Sequence, residues 1–100
     1  MKKINDTKDT VLQKIKEIAM KHEIKRVILF GSRARGDNSD VSDYDIAIHA
    51  SSLTELEKTL FYHDIDEIET LKKIDIVYID AETDKEFLYN ISKDGVIIYE

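Results

Sequence analysis

Val27-Ile28-Leu29-Phe30-Gly31-Ser32-Arg33-Ala34-Arg35-Gly36-Asp37-Asn38-Ser39-Asp40-Val41-Ser42-Asp43-Tyr44-Asp45-Ile46-Ala47-Ile48-His49 is the stretch that decides the fold. It opens with four consecutive apolar residues halted by Gly31, which reads as a short buried strand. It closes with Tyr44, Ile46 and Ile48 alternating against Asp43, Asp45, Ala47 and His49, the period of a second strand. The polar residues between them form a turn or a short helix. Upstream, Val11, Leu12, Ile15, Ile18 and Ala19 recur at helical spacing, with Asp6 or Thr7 as N-cap and Lys14, Lys16, Glu17 and Lys21 on the wet side. Downstream, Ser52-Leu53-Thr54-Glu55 has capping-box form ahead of a helix through Leu56 and Leu60, whose end falls between Phe61 and Leu71. Ile74 to Ile79 gives a third strand. Thr83-Asp84-Lys85-Glu86 is a second capping box, opening a helix through Phe87, Leu88 and Ile91. Gly95 suits its C′ position, and Val96 to Tyr99 closes the chain as a fourth strand. Strands alternating with helices predict an α/β or α+β sandwich, a four-stranded sheet with helices packed on it. No repeat, linker or low-complexity tract interrupts the chain, so residues 1–100 read as one domain.

Composition narrows the chemistry. The 100 residues contain no cysteine, proline or tryptophan, and their formal net charge is −6. Without cysteine there is neither a disulfide framework nor a thiolate metal site, and the expected setting is a reducing one, the cytoplasm. No apolar run approaches the roughly 18 residues of a membrane span, and MKKINDTKDT lacks a signal-peptide core. The acidic total argues against a protein that coats nucleic acid. Its distribution says more. Residues 1–42 carry ten Lys and Arg against six Asp and Glu, whereas residues 43–100 carry five against fifteen. A basic loop meeting an acidic sheet is one reading; chance plus solvated helix faces is the other.

The glycines of Gly31-Ser32-Arg33-Ala34-Arg35-Gly36 are spaced as in a P-loop, but Asp37 stands where the phosphate-gripping lysine would follow. Nor is this a dinucleotide fingerprint, which needs a third glycine. What remains is a strand end where Gly31 lets the backbone come close, with a Ser32 hydroxyl and the Arg33 and Arg35 charges beside it. Such a turn could meet an anion, or be an ordinary glycine turn with solvated arginines. Asp43 and Asp45, two apart on a strand, point to one face. Two carboxylates about 5 Å apart repel by about 3 kcal/mol at an effective dielectric near 20, so a cation between them is the natural remedy. Hard cations such as Mg²⁺ favour one or two carboxylates together with substrate phosphates. Asp75, flanked by Ile74 and Ile76 in Ile-Asp-Ile-Val-Tyr-Ile, is costly in a strand unless it faces a site. If its strand lies beside the Asp43–Asp45 strand, the three carboxylates converge. His49 shares that face but reads as a wet strand end. His22 and His63 read as surface residues, and the five tyrosines as core and interface residues.

Gly31-Ser32, then residues 33–42, then Asp43-Tyr44-Asp45, then Asp75 form a known spacing. The chain resembles a minimal nucleotidyltransferase domain of the polymerase-beta-like superfamily, of the kind encoded beside HEPN-domain partners as toxin–antitoxin pairs. The resemblance runs over essentially the whole chain, including the ending Ile91 to Glu100. It implies a palm-like fold in which Asp43, Asp45 and Asp75 bind two Mg²⁺ ions. It further implies that Gly31 and Ser32, with Arg33 or Arg35 nearby, hold the phosphates of ATP. The implied reaction moves AMP onto a protein hydroxyl, a tyrosine of a HEPN toxin, and so makes the chain an antitoxin. The partners would then be a nucleoside triphosphate and a HEPN protein in a hetero-oligomer, with neither membrane nor long nucleic acid. Two other readings stand beside it: a nucleotide-binding module that silences its partner by occlusion alone, and a metal-stabilised domain without nucleotide chemistry.

Overall fold

Apolar periodicity becomes nine elements in the computed structural model, which describes residues 1–4 and 6–100. In chain order they are β1 (Lys2–Lys3), α1 (Thr10–Lys21), β2 (Val27–Phe30), α2 (Gly31–Arg35), β3 (Tyr44–His49), α3 (Glu55–Asp66), β4 (Ile74–Ile79), α4 (Lys85–Asp94) and β5 (Val96–Tyr99). The five strands make one mixed sheet in the order β1-β5-β2-β3-β4. β2 is antiparallel to both β3 and β5, while β3 and β4 run parallel with α3 as their crossover. The α+β architecture is as the sequence predicts, with one strand more. Lys2–Lys3, two exposed residues with no apolar pattern of their own, pair with Val96 and Ile97 at the sheet edge.

The sheet buries a different set on each face. Ile46, Ile48 and Tyr44 face α1 and α3, meeting Val11, Leu12, Ile15 and Ala19 from the first and Phe61 and Ile65 from the second. Each fully buried large side chain is worth roughly 1.5–3 kcal/mol, so this is the main core. Ile28, Ala47, Ile79 and Ile97 face the other way, onto Ile91, Phe87 and Leu88 of α4. A single helix covers that second face, and the leading ends of β3 and β4 lie beyond its apolar contacts. That gap positions the site.

Helix ends depart from the sequence reading in instructive ways. α1 is capped by Asp9, not by Asp6 or Thr7: its Oδ1 accepts from the amides of Val11 and Leu12 at 2.9 and 3.1 Å. The α3 box is set two residues later than Ser52–Glu55, with Thr54 and Glu57 exchanging side-chain and backbone bonds at 3.1 Å. Thr83 and Glu86 form no box; Asp84 is the N-cap without a side-chain bond, and the Thr83 hydroxyl accepts from the Asp80 amide. Gly95 is extended rather than left-handed, and is required by crowding against the Ile91 carbonyl and Ile28. His22 is no loose surface residue: its Nε2 lies 2.6 Å from Asp64 Oδ2 and its ring meets Phe61 edge-on, tying α1 to α3. His63 is exposed, as expected.

Candidate active site

Strand register brings the carboxylates together. Asp45 of β3 lies directly opposite Asp75 of β4, and Phe30, the residue before Gly31, lies opposite Asp45 on the other side. By the two-residue period, Asp43 shares the face of Asp45. The proximity is visible in the charge balance: burial, then Asp75, then Asp43, push the Asp45 carboxyl above its ordinary range, with Arg35 pulling it back. Three negative groups, only partly answered by Arg35 and by Lys73 beside Asp75, therefore occupy the uncovered end of the face.

Gly31 closes the site from the β2 side. Its φ is +73°, and a methyl group added there would lie 3.1 Å from Asp45 Cγ and 3.3 Å from Asp45 Cβ, with Oδ2 nearer still. Only a glycine lets the turn seat itself on that carboxylate. Ser32 follows in α2, and its carbonyl accepts from the amides of Gly36 and Asp37 at 2.9 and 3.1 Å, folding the loop back.

The two arginines divide. Arg33 turns away from the carboxylates: its Nε and Nη2 donate to the Ser42 carbonyl at 3.0 and 2.8 Å, Nη2 also reaches the Asp40 carbonyl, and the guanidinium stacks 4.0 Å above the Tyr44 ring. It pins the loop that delivers Asp43. Arg35 is exposed, pairs with Asp37 at 3.0 Å, and still feels Asp45. Of the two, Arg35 is the one free to swing toward an anion.

Two contacts carry no sequence motif. Lys73 Nζ sits 3.2 Å from Asp75 Oδ1, and Asp75 first, then Asp43, hold its ammonium above its usual range. Lys73 lies just before β4, two residues from Asp75, and that spacing is the available signal. Tyr44, between the two aspartates, donates its hydroxyl to Asp9 Oδ2 at 2.7 Å on the opposite face. Burial and Asp9 push that phenol up to about 12. Nothing in local sequence links residues 9 and 44. A cleft of about 530 Å³, lined by Tyr62, Asp66, Lys72, Lys73 and Asp75, opens beside the site. His49 stands at the far end of β3, where burial first and then the Arg26 charge lower its pKa, and takes no part in the carboxylate group.

Among the described residues no three acidic or histidine side chains form a ready-made metal cage. The donor set nonetheless fits a hard divalent cation. Asp45 and Asp75 are all-oxygen ligands on adjacent strands, their mutual repulsion has no full internal answer, and a lysine already borders one of them.

A mixed sheet offering paired strand carboxylates beside a Gly-Ser turn is the architecture of a nucleotidyltransferase-class domain. The polymerase beta nucleotidyltransferase family matches residues 13–100, and the chain belongs to that family. Its members generally use nucleoside triphosphates and divalent metal ions. Among solved structures, a crystal structure of a candidate nucleotidyltransferase from Sulfolobus solfataricus is similar, at 26% identity and a TM-score of 0.55. The similarity covers 87% of this chain and 78% of that one. No curated protein matches the chain. Among the described residues no helix is long and apolar enough to cross a membrane.

Proposed function

We propose that this domain transfers AMP from ATP, with Mg²⁺, to a hydroxyl group of a protein partner, a tyrosine of a HEPN-domain toxin, and acts as its antitoxin. The observation that carries the reading is the Asp45–Asp75 pairing, with Gly31 seated against Asp45. Asp43, Asp45 and Asp75 would hold two divalent ions, whose chemistry is to neutralise the triphosphate and polarise the attacking hydroxyl. The chain's own residues do the rest. The Gly31–Ser32 turn receives the β- and γ-phosphates, and Arg35 comes over from Asp37 to share their charge. The tyrosine oxygen attacks the α-phosphorus, the O–P bond forms as the bridging bond to the β-phosphate breaks, and pyrophosphate leaves with the electron pair. The phenolic proton passes to Asp75 or to water. Positioning and charge carry the catalysis. A cleft that is open toward β4 supports an acceptor that approaches from outside the domain.

The test is transfer of α-labelled ATP, with Mg²⁺, to a HEPN protein encoded beside the chain. Label on a partner tyrosine, lost in Asp43→Asn plus Asp45→Asn, is the expected result. Equal labelling by that variant, or none by the wild type, refutes the reading. Nucleotide binding without transfer, with the variant still neutralising the toxin, makes the chain a binding module instead.

A further inference from the structure

The sheet face that carries Asp45 has a second uncovered end. α4 covers the middle of that face, where Ile91, Phe87 and Leu88 meet Ile28, Ala47 and Ile79. Four residues beyond Asp45 along β3, about 13 Å away, His49 stands on the same face. Pairing with β2 continues there: the His49 amide donates to the Arg26 carbonyl at 3.3 Å, and Arg26 shares the face of Ile28. One end of the face therefore gathers carboxylates, and the other gathers cations. At the basic end lies a cavity of about 300 Å³ lined by Lys25, Arg26, His49, Ser51 and Ser52. Each of these five side chains can donate a hydrogen bond, and no carboxylate stands among them.

The charge there is not balanced from within. Arg26 pairs with Glu100 at 3.1 Å, but Glu100 also answers Lys3 at 3.8 Å. Lys25 has no ion pair among the described residues, so three cations share one carboxylate and two positive charges stay in surplus. The His49 ring and the Ser51 and Ser52 hydroxyls also have no hydrogen-bond partner among the described residues. Burial and the Arg26 charge lower the His49 pKa, as expected of a half-buried imidazole beside a cation that nothing else offsets. We propose that this cavity binds a phosphate dianion, free or as the monoester of a small molecule. Near pH 7 such a group carries a charge of about −1.5 to −2, which matches the surplus, and three strong acceptor oxygens, which a carboxylate lacks. Lys25 and Arg26 supply the charge, and Ser51, Ser52 and the His49 ring supply neutral donors. The inference does not depend on the proposed reaction, since it uses none of the residues assigned to that site.

Nuclear magnetic resonance reads the site directly. Inorganic phosphate is titrated at neutral pH in EDTA, with chloride holding the ionic strength constant, while the amides of Ser51 and Ser52 and the ring C–H signals of His49 are followed. Saturable shifts of these signals are expected, and the Gly31 and Asp45 amides in the same spectra separate them from any binding at the carboxylate end. Lys25→Gln, at an exposed position, should raise the Kd roughly tenfold, the share of one charge-assisted hydrogen bond, and Arg26→Gln at least as much. The amide dispersion of each variant establishes that it is folded. A nucleoside monophosphate and its parent nucleoside distinguish the two sources. Tighter binding of the monophosphate than of inorganic phosphate assigns a monoester, equal binding assigns the free anion, and both uphold the site. Absence of saturable shifts overturns the proposal. So do a Kd unchanged in both variants, acetate moving the same signals as strongly as phosphate, and the nucleoside binding as well as its monophosphate.

Discussion

Replacing Gly31 by alanine probes the seat of the site, because two separable costs meet there. The first is backbone: at φ +73° an L side chain is in left-handed territory, a cost of about 1–2 kcal/mol. The second is contact: the new methyl would stand 3.1 Å from Asp45 Cγ, inside ordinary van der Waals distance, with Oδ2 nearer still. Asp45 can yield only by leaving its rotamer, at about 0.5–1.5 kcal/mol, or by spreading β2 from β3. The sum is about 1.5–3.5 kcal/mol, which in a domain of this size lowers Tm by roughly 6–28 °C. Gly36 isolates the first cost. Its φ is +83° and an added methyl there meets no atom within 4 Å. Gly36→Ala should therefore lose only the backbone share, about 1–2 kcal/mol. Asp45→Ala isolates the second: in that background Gly31→Ala should fall to the Gly36→Ala value, a coupling of about 1 kcal/mol. Urea denaturation of the four variants against wild type gives all the terms. Strict additivity of Gly31→Ala with Asp45→Ala, or equal losses at Gly31 and Gly36, would refute the placement of the turn on the carboxylate.

Three further outcomes follow from the charges. Asp45 has a raised carboxyl, so its contribution favours the fold at low pH and is lost as pH rises through its folded value. In EDTA, Asp45→Asn should therefore stabilise the protein at neutral pH and flatten the acid side of a Tm–pH profile. Added Mg²⁺ or Mn²⁺ should raise the wild-type melting temperature, worth about 2.7 kcal/mol at 100 times Kd, and leave Asp45→Asn plus Asp75→Asn unmoved in a thermal-shift titration. Tyr44→Phe removes a bond to the Asp9 carboxylate and should cost about 1.5–3 kcal/mol by denaturant titration. The wild type also loses stability as pH climbs from 10 toward about 12, where the folded phenol ionises, and Tyr44→Phe should lack that component.

Much of this site is legible in the chain because its parts obey local rules. The apolar run at 27–30, halted by Gly31, reads as a buried strand, the alternation at 43–49 fixes which face Asp43 and Asp45 share, and an aspartate between isoleucines at 75 demands a reason. Whether Asp75 reaches the other two depends on β3 lying next to β4, and that adjacency is a property of the whole sheet. The same limit explains the rest. Lys2 and Lys3 carry no strand pattern and are recruited by the free edge of β5. Asp9 outcompetes Asp6 and Thr7 as N-cap because it alone also has Tyr44 to hold. Arg33 reads as an anion ligand by type, yet the loop carbonyls of Asp40 and Ser42 and the Tyr44 ring engage it. His22 and Asp64 meet across 42 residues of chain, beyond any spacing rule.

Asp9 deserves a last consequence, since its two oxygens serve two elements at once. One holds the first amides of α1 and the other the hydroxyl of Tyr44, the residue between Asp43 and Asp45 in the chain. The opening turn of α1 cannot fray without freeing Tyr44, and Tyr44 cannot shift without loosening α1. In hydrogen exchange, the amides of Val11 and Leu12 and those at the start of β3 should open as one cooperative unit, although they lie more than thirty residues apart. Whatever tightens the carboxylate strand would then slow exchange at the far end of this unit, and α1 would report from a distance on what the strand is holding.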